Sequence, residues 1–292
     1  MDPQLDGPIL VASLLILSVL IGSAVLWIRQ ARQPREEILP NVGITAWNVG
    51  WVNFGLFICA LIFAVFLVQT IGASILFQGE GGTPPELTPS LAVLAVLMLQ
   101  LPMLAVFYGA RRYFPAQFAG RLNETRVSQR QAAMRALPLF VMLLPVIWIA
   151  TLVWSQLLFA LEAVGLVDGL APQVLVTLFA GGGHPVAILL LVVLAVVLAP
   201  LVEELIFRGC VYRFLKSKAP LLPAQILSGA VFAMLHANLL SFVPLLLVGV
   251  LLARIYEKSG NLWVAIWFHA FFNAFSLSIL FITGLSDNLP HD

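Results

Sequence analysis

Apolar blocks without a charged residue recur along the chain at 9–28, 47–77, 91–110, 137–161, 185–202, 224–239, 242–253 and 262–282. Within each block the apolar residues run together instead of marking one stripe of a helix, which is the pattern of a segment surrounded by lipid. About 20 helical residues cross the hydrocarbon layer, and the first four blocks are long enough as they stand. The fifth is expected to continue toward Leu215, because its apolar pattern persists past Arg208. The sixth and seventh are short: the 35 residues from Ala219 to Ala253 hold either two crossings and a turn or a re-entrant pair that turns at mid-membrane. The pattern predicts one polytopic, all-α membrane domain over 1–292, with about eight transmembrane helices.

The basic residues give a second, independent pattern. Arg29, Arg32 and Arg35 follow the first span. Arg111, Arg112, Arg121, Arg126, Arg130 and Arg135 follow the third, Arg208, Arg213, Lys216 and Lys218 the apolar part of the fifth, and Arg254 and Lys258 the seventh. Together these are all 15 Lys and Arg residues, and the alternate connections near 78–90, 163–184 and 238–241 have none. Such alternation predicts that the basic loops are cytoplasmic and both termini outside.

Composition agrees. Hydrophobic residues make up 61% of the chain and charged ones 10%, against about 25% charged in an ordinary soluble domain. No basic patch interleaved with aromatics and no Gly-rich phosphate loop is present, so nucleic-acid and nucleotide binding are set aside. Met1–Pro8 holds Asp2 and Asp6 but no cation before the apolar run, so the first helix is expected to be retained rather than cleaved as a signal. In the loop at 111–136, Phe114, Phe118 and Leu122 fall at helical spacing among arginines, which predicts an amphipathic helix on the membrane surface. The sequon Asn123-Glu124-Thr125 in that inner loop is expected to stay unglycosylated. Cys59 and Cys210 are expected to be buried small hydrophobes.

Ionisable residues inside spans cost about 2.5–3.5 kcal/mol each on insertion scales, so they face the bundle interior and serve a purpose. The first four spans have none, whereas the last four hold Glu203, Glu204, Arg208, His236 and His269. Glu204 and Arg208, four apart, are placed to pair, and Glu203 projects about 100° away and lacks that cation. Ser228, Phe232 and His236 share one helix face, as do His269, Asn273 and Ser276. Counted at about 1.5 Å per residue, Glu203, His236, His269 and Asn273 reach one depth. An unpaired carboxylate, two imidazoles and an amide supply a base, its partner and oxyanion donors, the parts that peptide hydrolysis needs. The same residue types also serve interhelical hydrogen bonds or a proton relay. His184, in the outer Gly-Gly-Gly-His-Pro stretch, and His291, in the tail, are expected to be solvated and outside the chemistry.

Glu203-Glu204-Leu-Ile-Phe-Arg208 resembles the Glu-Glu-x-x-x-Arg motif of the CAAX-protease and bacteriocin-processing family. Phe232-Ala-Met-Leu-His236 is similar to its Phe-x-x-x-His motif and His269-Ala-Phe-Phe-Asn273 to its His-x-x-x-Asn motif, in family order. The resemblance covers about 185–282 as a catalytic core, while 1–184 matches no motif. It implies an intramembrane endopeptidase related to the eukaryotic Ras-converting CAAX endopeptidase, acting on membrane-associated and potentially prenylated peptide or protein substrates. Carried over, Glu203 and His236 would activate water, His269 and Asn273 would stabilise the oxyanion, and Glu204, Arg208 and Phe232 would support them. No cofactor is favoured, although Glu203, His236 and His269 are also a possible zinc set. The alternative is a non-catalytic immunity or scaffold protein that binds a peptide partner. The expected location is integral to the membrane, and to the plasma membrane in a prokaryote.

Overall fold

The computed structural model describes residues 7–32, 43–76, 87–118, 121–180 and 183–287, and helix is the only regular structure among them. The helices are α1 (Gly7–Arg32), α2 (Trp51–Leu76), α3 (Pro89–Tyr113), α4 (Gln129–Ala163), α5 (Val174–Ala180), α6 (Pro185–Lys216), α7 (Leu221–Leu235), α8 (Leu239–Ser259) and α9 (Leu262–Asp287). Seven of them are long and apolar enough to cross a membrane: α1 to α4, α6, α8 and α9. The chain is therefore an all-α polytopic membrane bundle.

Local sequence sets the helix ends. Ser128 and Gln131 form a capping box at the start of α4, each side chain bonded to the other's backbone N–H. Thr88 caps α3 and Asn238 caps α8. Gly260 ends α8 in the left-handed region, which only glycine enters without strain. Ala237, at φ 47°, makes the same excursion without that freedom and ends α7 at His236.

The fifth apolar block does continue as one helix to Lys216, but not as a regular one. It is π-helical over Leu194–Leu198 and again over Glu204–Tyr212. Helix α7 has 15 residues, about 22 Å, short of a hydrocarbon layer of about 30 Å. Its turn into α8 reaches the α4–α5 connection, where the Asn238 amide donates to the Ala171 carbonyl at 2.9 Å. The connections after α1, α3, α6 and α8 meet at the opposite end. There Lys216 bonds Glu257 and the Ile44 carbonyl, Trp47 N–H donates to the Arg213 carbonyl, and Tyr256 hydroxyl to the Leu122 carbonyl. These are the connections in which the basic residues lie, so one end of the bundle is basic.

Two sequence expectations need correction. In the loop 111–136 where a surface helix was expected, the described residues at 114–118 and 121–128 form turns, bends and irregular backbone, not an amphipathic helix. Their groups are engaged elsewhere: Phe118 packs on Trp47 with ring centroids 4.6 Å apart, and the carbonyls of Gln117 and Leu122 accept from Trp47 and Tyr256. A surface helix would have used those carbonyls internally. Cys210 is buried as expected, but Cys59 lies on the exposed face of α2.

Helix α6 packs against α3, α7, α8 and α9, which places the motif helices around one axis. Where α7 crosses α8, a Cβ on Gly249 would stand 2.6 Å from the Gly229 Cα, so the backbones touch as only glycines allow.

Candidate active site

Pro200 sits inside α6 and has no N–H to donate. One turn earlier the helix has widened, and the Ala199 N–H reaches back five residues to Leu194 instead of four to Ala195. In that register the next donor, owed to Ala195, would be Pro200 itself. The Ala195 carbonyl is thus left over, and the Asn273 amide donates to it at 2.8 Å. A proline on one helix and an asparagine on another are coupled through a single freed carbonyl.

One turn further, Glu203 and Glu204 leave α6 on different faces. Glu204 is fully buried and accepts from Arg208 at 2.7 Å, the pairing expected from their spacing. Arg208, equally buried, also donates to the Gly249 carbonyl at 3.0 Å and lies 4.6 Å from the centre of the Phe232 ring. The Gly229–Gly249 contact brings α8 close enough for that carbonyl to be reached.

His269 joins the two acids. Its Nδ1 lies 3.0 Å from Glu204 Oε1, and its Nε2 lies 3.8 Å from Glu203 Oε2. Glu204 Oε1 accepts from Arg208 and is an acceptor here too, so Nδ1 donates in this contact and Nε2 is the nitrogen turned toward Glu203. The side chain of Glu203 is 17% exposed whereas that of Glu204 is 0%, so the unpaired acid is the accessible one.

His236 caps α7, and its Nδ1 donates to the Phe232 carbonyl at 2.8 Å, which leaves Nε2 as its free nitrogen. Phe232 separates the two histidines: its ring centroid is 4.7 Å from that of His236 and 5.8 Å from that of His269. The structure brings Glu203, Glu204, Arg208 and His269 into direct contact and sets His236 beside them across Phe232. Asn273 approaches through α6 backbone, not through another site side chain. Ser228 is fully buried, and its hydroxyl has no hydrogen-bond partner. His184 is exposed at the start of α6, and His291 lies outside the described residues.

Among the described residues no three His, Cys, Asp or Glu side chains converge closely enough to hold a metal ion. Glu203, His236 and His269 are not gathered into one ligand set in this arrangement.

Sequence reasoning did not find Gly249, the acceptor for Arg208, since a backbone carbonyl leaves no trace in residue type. It also passed over Glu257, which is buried at the basic end and accepts from Tyr212 at 2.8 Å and from Lys216. The available signal was an acid between Arg254 and Lys258 in an otherwise basic connection.

An all-α membrane bundle with an acid–imidazole site between α6, α7 and α9 is the class of protein these observations define. Comparison with known proteins places that part more narrowly. Residues 185–275 match the family model described as Type II CAAX prenyl endopeptidase Rce1-like. Bacillus subtilis (strain 168) YdiL, named as a candidate membrane peptidase, is 28% identical over 89 residues, which are 30% of this chain and 36% of that relative. The α6–α9 unit is thus similar to that family model and to that relative, and the similarity spans about a third of either chain. No solved structure matches this chain.

Proposed function

We propose that the protein is an intramembrane endopeptidase in which Glu203 activates a water molecule for attack on a peptide carbonyl. The observation that carries this is the contrast between the adjacent acids: Glu204 is buried against Arg208, while Glu203 is accessible and faces His269 Nε2. Glu203, as carboxylate, takes a proton from water while the oxygen adds to the carbonyl carbon. His236, through Nε2, orients that water. The negative charge that forms on the carbonyl oxygen is met by the free N–H of Asn273, while His269, its Nδ1 N–H donating to Glu204, lines the site with Nε2. Glu203 then returns its proton to the leaving nitrogen, and the products are a carboxylate and an amine.

The substrates are membrane-associated peptides or proteins, with a prenylated C-terminal segment as the finer expectation. In this reading α6–α9 is the catalytic unit, and the basic end of the bundle is cytoplasmic. The test incubates detergent-purified protein with a farnesylated peptide bearing a CAAX terminus and with the same peptide unmodified, read by mass spectrometry. A parallel arm adds chelator and measures bound metal. Cleavage confined to the farnesylated peptide and unaffected by chelator is expected. Chelator-sensitive cleavage restored by zinc would remove the proposed water activation, and no cleavage of either peptide would remove the substrate class.

A further inference from the structure

We propose that the cleft between the α3–α4 connection and the start of α9 binds a net-anionic phosphate ester, carried by a lipid headgroup or by a soluble molecule. The cleft has a volume of about 560 Å³ and is lined by, among others, Arg121, Asn123, Arg126, Ser128, Asn261 and Trp263. That size suits a small polar ligand.

Its walls are fixed from both sides. Asn123 Oδ1 accepts the Leu262 N–H at 2.7 Å, the Asn261 amide donates to the Thr125 carbonyl at 2.8 Å, and the N–H groups of Glu124 and Thr125 both donate to the Gly260 carbonyl. Asn123 commits its oxygen to this frame, which leaves its NH2 group as a donor.

The charge is one-sided. Two guanidinium groups line the cleft and no carboxylate does. Glu124, the acid between them in sequence, does not line the cleft and accepts from the Thr45 hydroxyl and N–H, although its carboxyl still feels the Arg121 charge. Among the described residues neither Arg121 nor Arg126 forms an ion pair within 4 Å. Planar guanidinium forks match phosphate oxygens in pairs.

The position is that of a membrane surface. The cleft opens where two long apolar helices begin, α4 at Gln129 and α9 at Leu262, with Trp263 in its wall and Trp267 one turn on, bonded to Gln129. Indole side chains concentrate at the headgroup level of bilayers, where lipid phosphates lie.

The test uses the full-length protein in detergent, with thermal shift and titration by phosphatidic acid, phosphatidylglycerol, phosphatidylcholine and inorganic phosphate. The variants are Arg121→Gln/Arg126→Gln and, as a control with equal charge loss outside the cleft, Arg130→Gln/Arg135→Gln. The anionic lipids are expected to bind more tightly than phosphatidylcholine, and the cleft pair to weaken them about tenfold or more, the effect of two interfacial cations. The control pair, whose charges reach the ligand only across screened solvent, should leave binding within about twofold. An arginine-dependent shift with inorganic phosphate alone would support the site and assign it to a soluble ligand. Should the Gln pair fail to fold, Arg121→Lys/Arg126→Lys keeps the charge but loses the fork and should weaken binding about threefold. Equal weakening by the cleft and control pairs, or no preference for anionic lipid, overturns the proposal.

Discussion

His269 Nδ1 lies 3.0 Å from Glu204 Oε1, and this contact orients the ring so that Nε2 faces Glu203. Glu204 accepts from the imidazole and from Arg208 through the same oxygen while wholly buried. Removing its charge leaves Arg208 uncompensated in a dry interior, a change that costs about 3–5 kcal/mol in buried pairs. Glu204→Gln is therefore expected to lower the melting temperature strongly as well as remove cleavage. A variant as stable as wild type would show that the Glu204–Arg208–His269 contact does not hold the site together.

The Asn273–Ala195 bond makes a coupled prediction. Asn273→Ala leaves the Ala195 carbonyl unpaired, at a cost of about 1–3 kcal/mol. Pro200→Ala restores an N–H where the helix lacks one, so in that background the loss of Asn273 should cost at least about 1 kcal/mol less. Denaturation of the two single variants and the double variant completes the cycle. Additive losses would mean that the proline does not create the need for the amide.

Gly249→Ala places a Cβ 2.6 Å from the Gly229 Cα and 3.2 Å from its carbonyl oxygen. Because the obstacle is backbone, α7 and α8 have to separate, and the Gly249 carbonyl moves from Arg208. A loss of about 1–3 kcal/mol is expected, the range for overpacked cores, together with reduced cleavage. Unchanged stability in thermal melts would contradict the close crossing.

Much of this was legible from residue type and spacing. The apolar blocks located the spans, because lipid demands length and lack of charge, and the acids and histidines stood out as exceptions. The Glu204–Arg208 pair followed from a four-residue offset on one helix. What spacing could not supply was anything set between helices: which carboxylate His269 bonds, the Gly229–Gly249 contact, or the carbonyl beside Pro200 that Asn273 fills. The surface helix expected in the loop at 111–136 failed for the same reason. Helical periodicity was present in Phe114, Phe118 and Leu122, but Trp47 and Tyr256, distant in sequence, claimed the backbone groups that such a helix requires.

Outside the membrane, the Thr45 hydroxyl holds the Glu124 carboxyl below its ordinary value of 4.5; burial, next in size, opposes it, and the Thr45 N–H and the charges of Arg213 and Arg121 add to the lowering. A lowered folded-state value means that the ionised form favours the fold. Its contribution is full above 4.5 and is lost as pH falls through the lower, folded-state value. The stability gap between wild type and Glu124→Gln should thus be widest near neutral pH and close in acid. Melts from pH 7 down to about 3 check it, and a gap that widened on acidification would reverse the sign.

The accessible acid carries the account. Glu203→Gln keeps the shape and changes only the ability to take a proton, so its melting temperature should stay within a few degrees of wild type. Peptide cleavage followed by mass spectrometry on matched, folded samples should then fall at least about a hundredfold, the scale of a lost general base. Cleavage by Glu203→Gln at the wild-type rate would contradict the assignment of water activation to this residue.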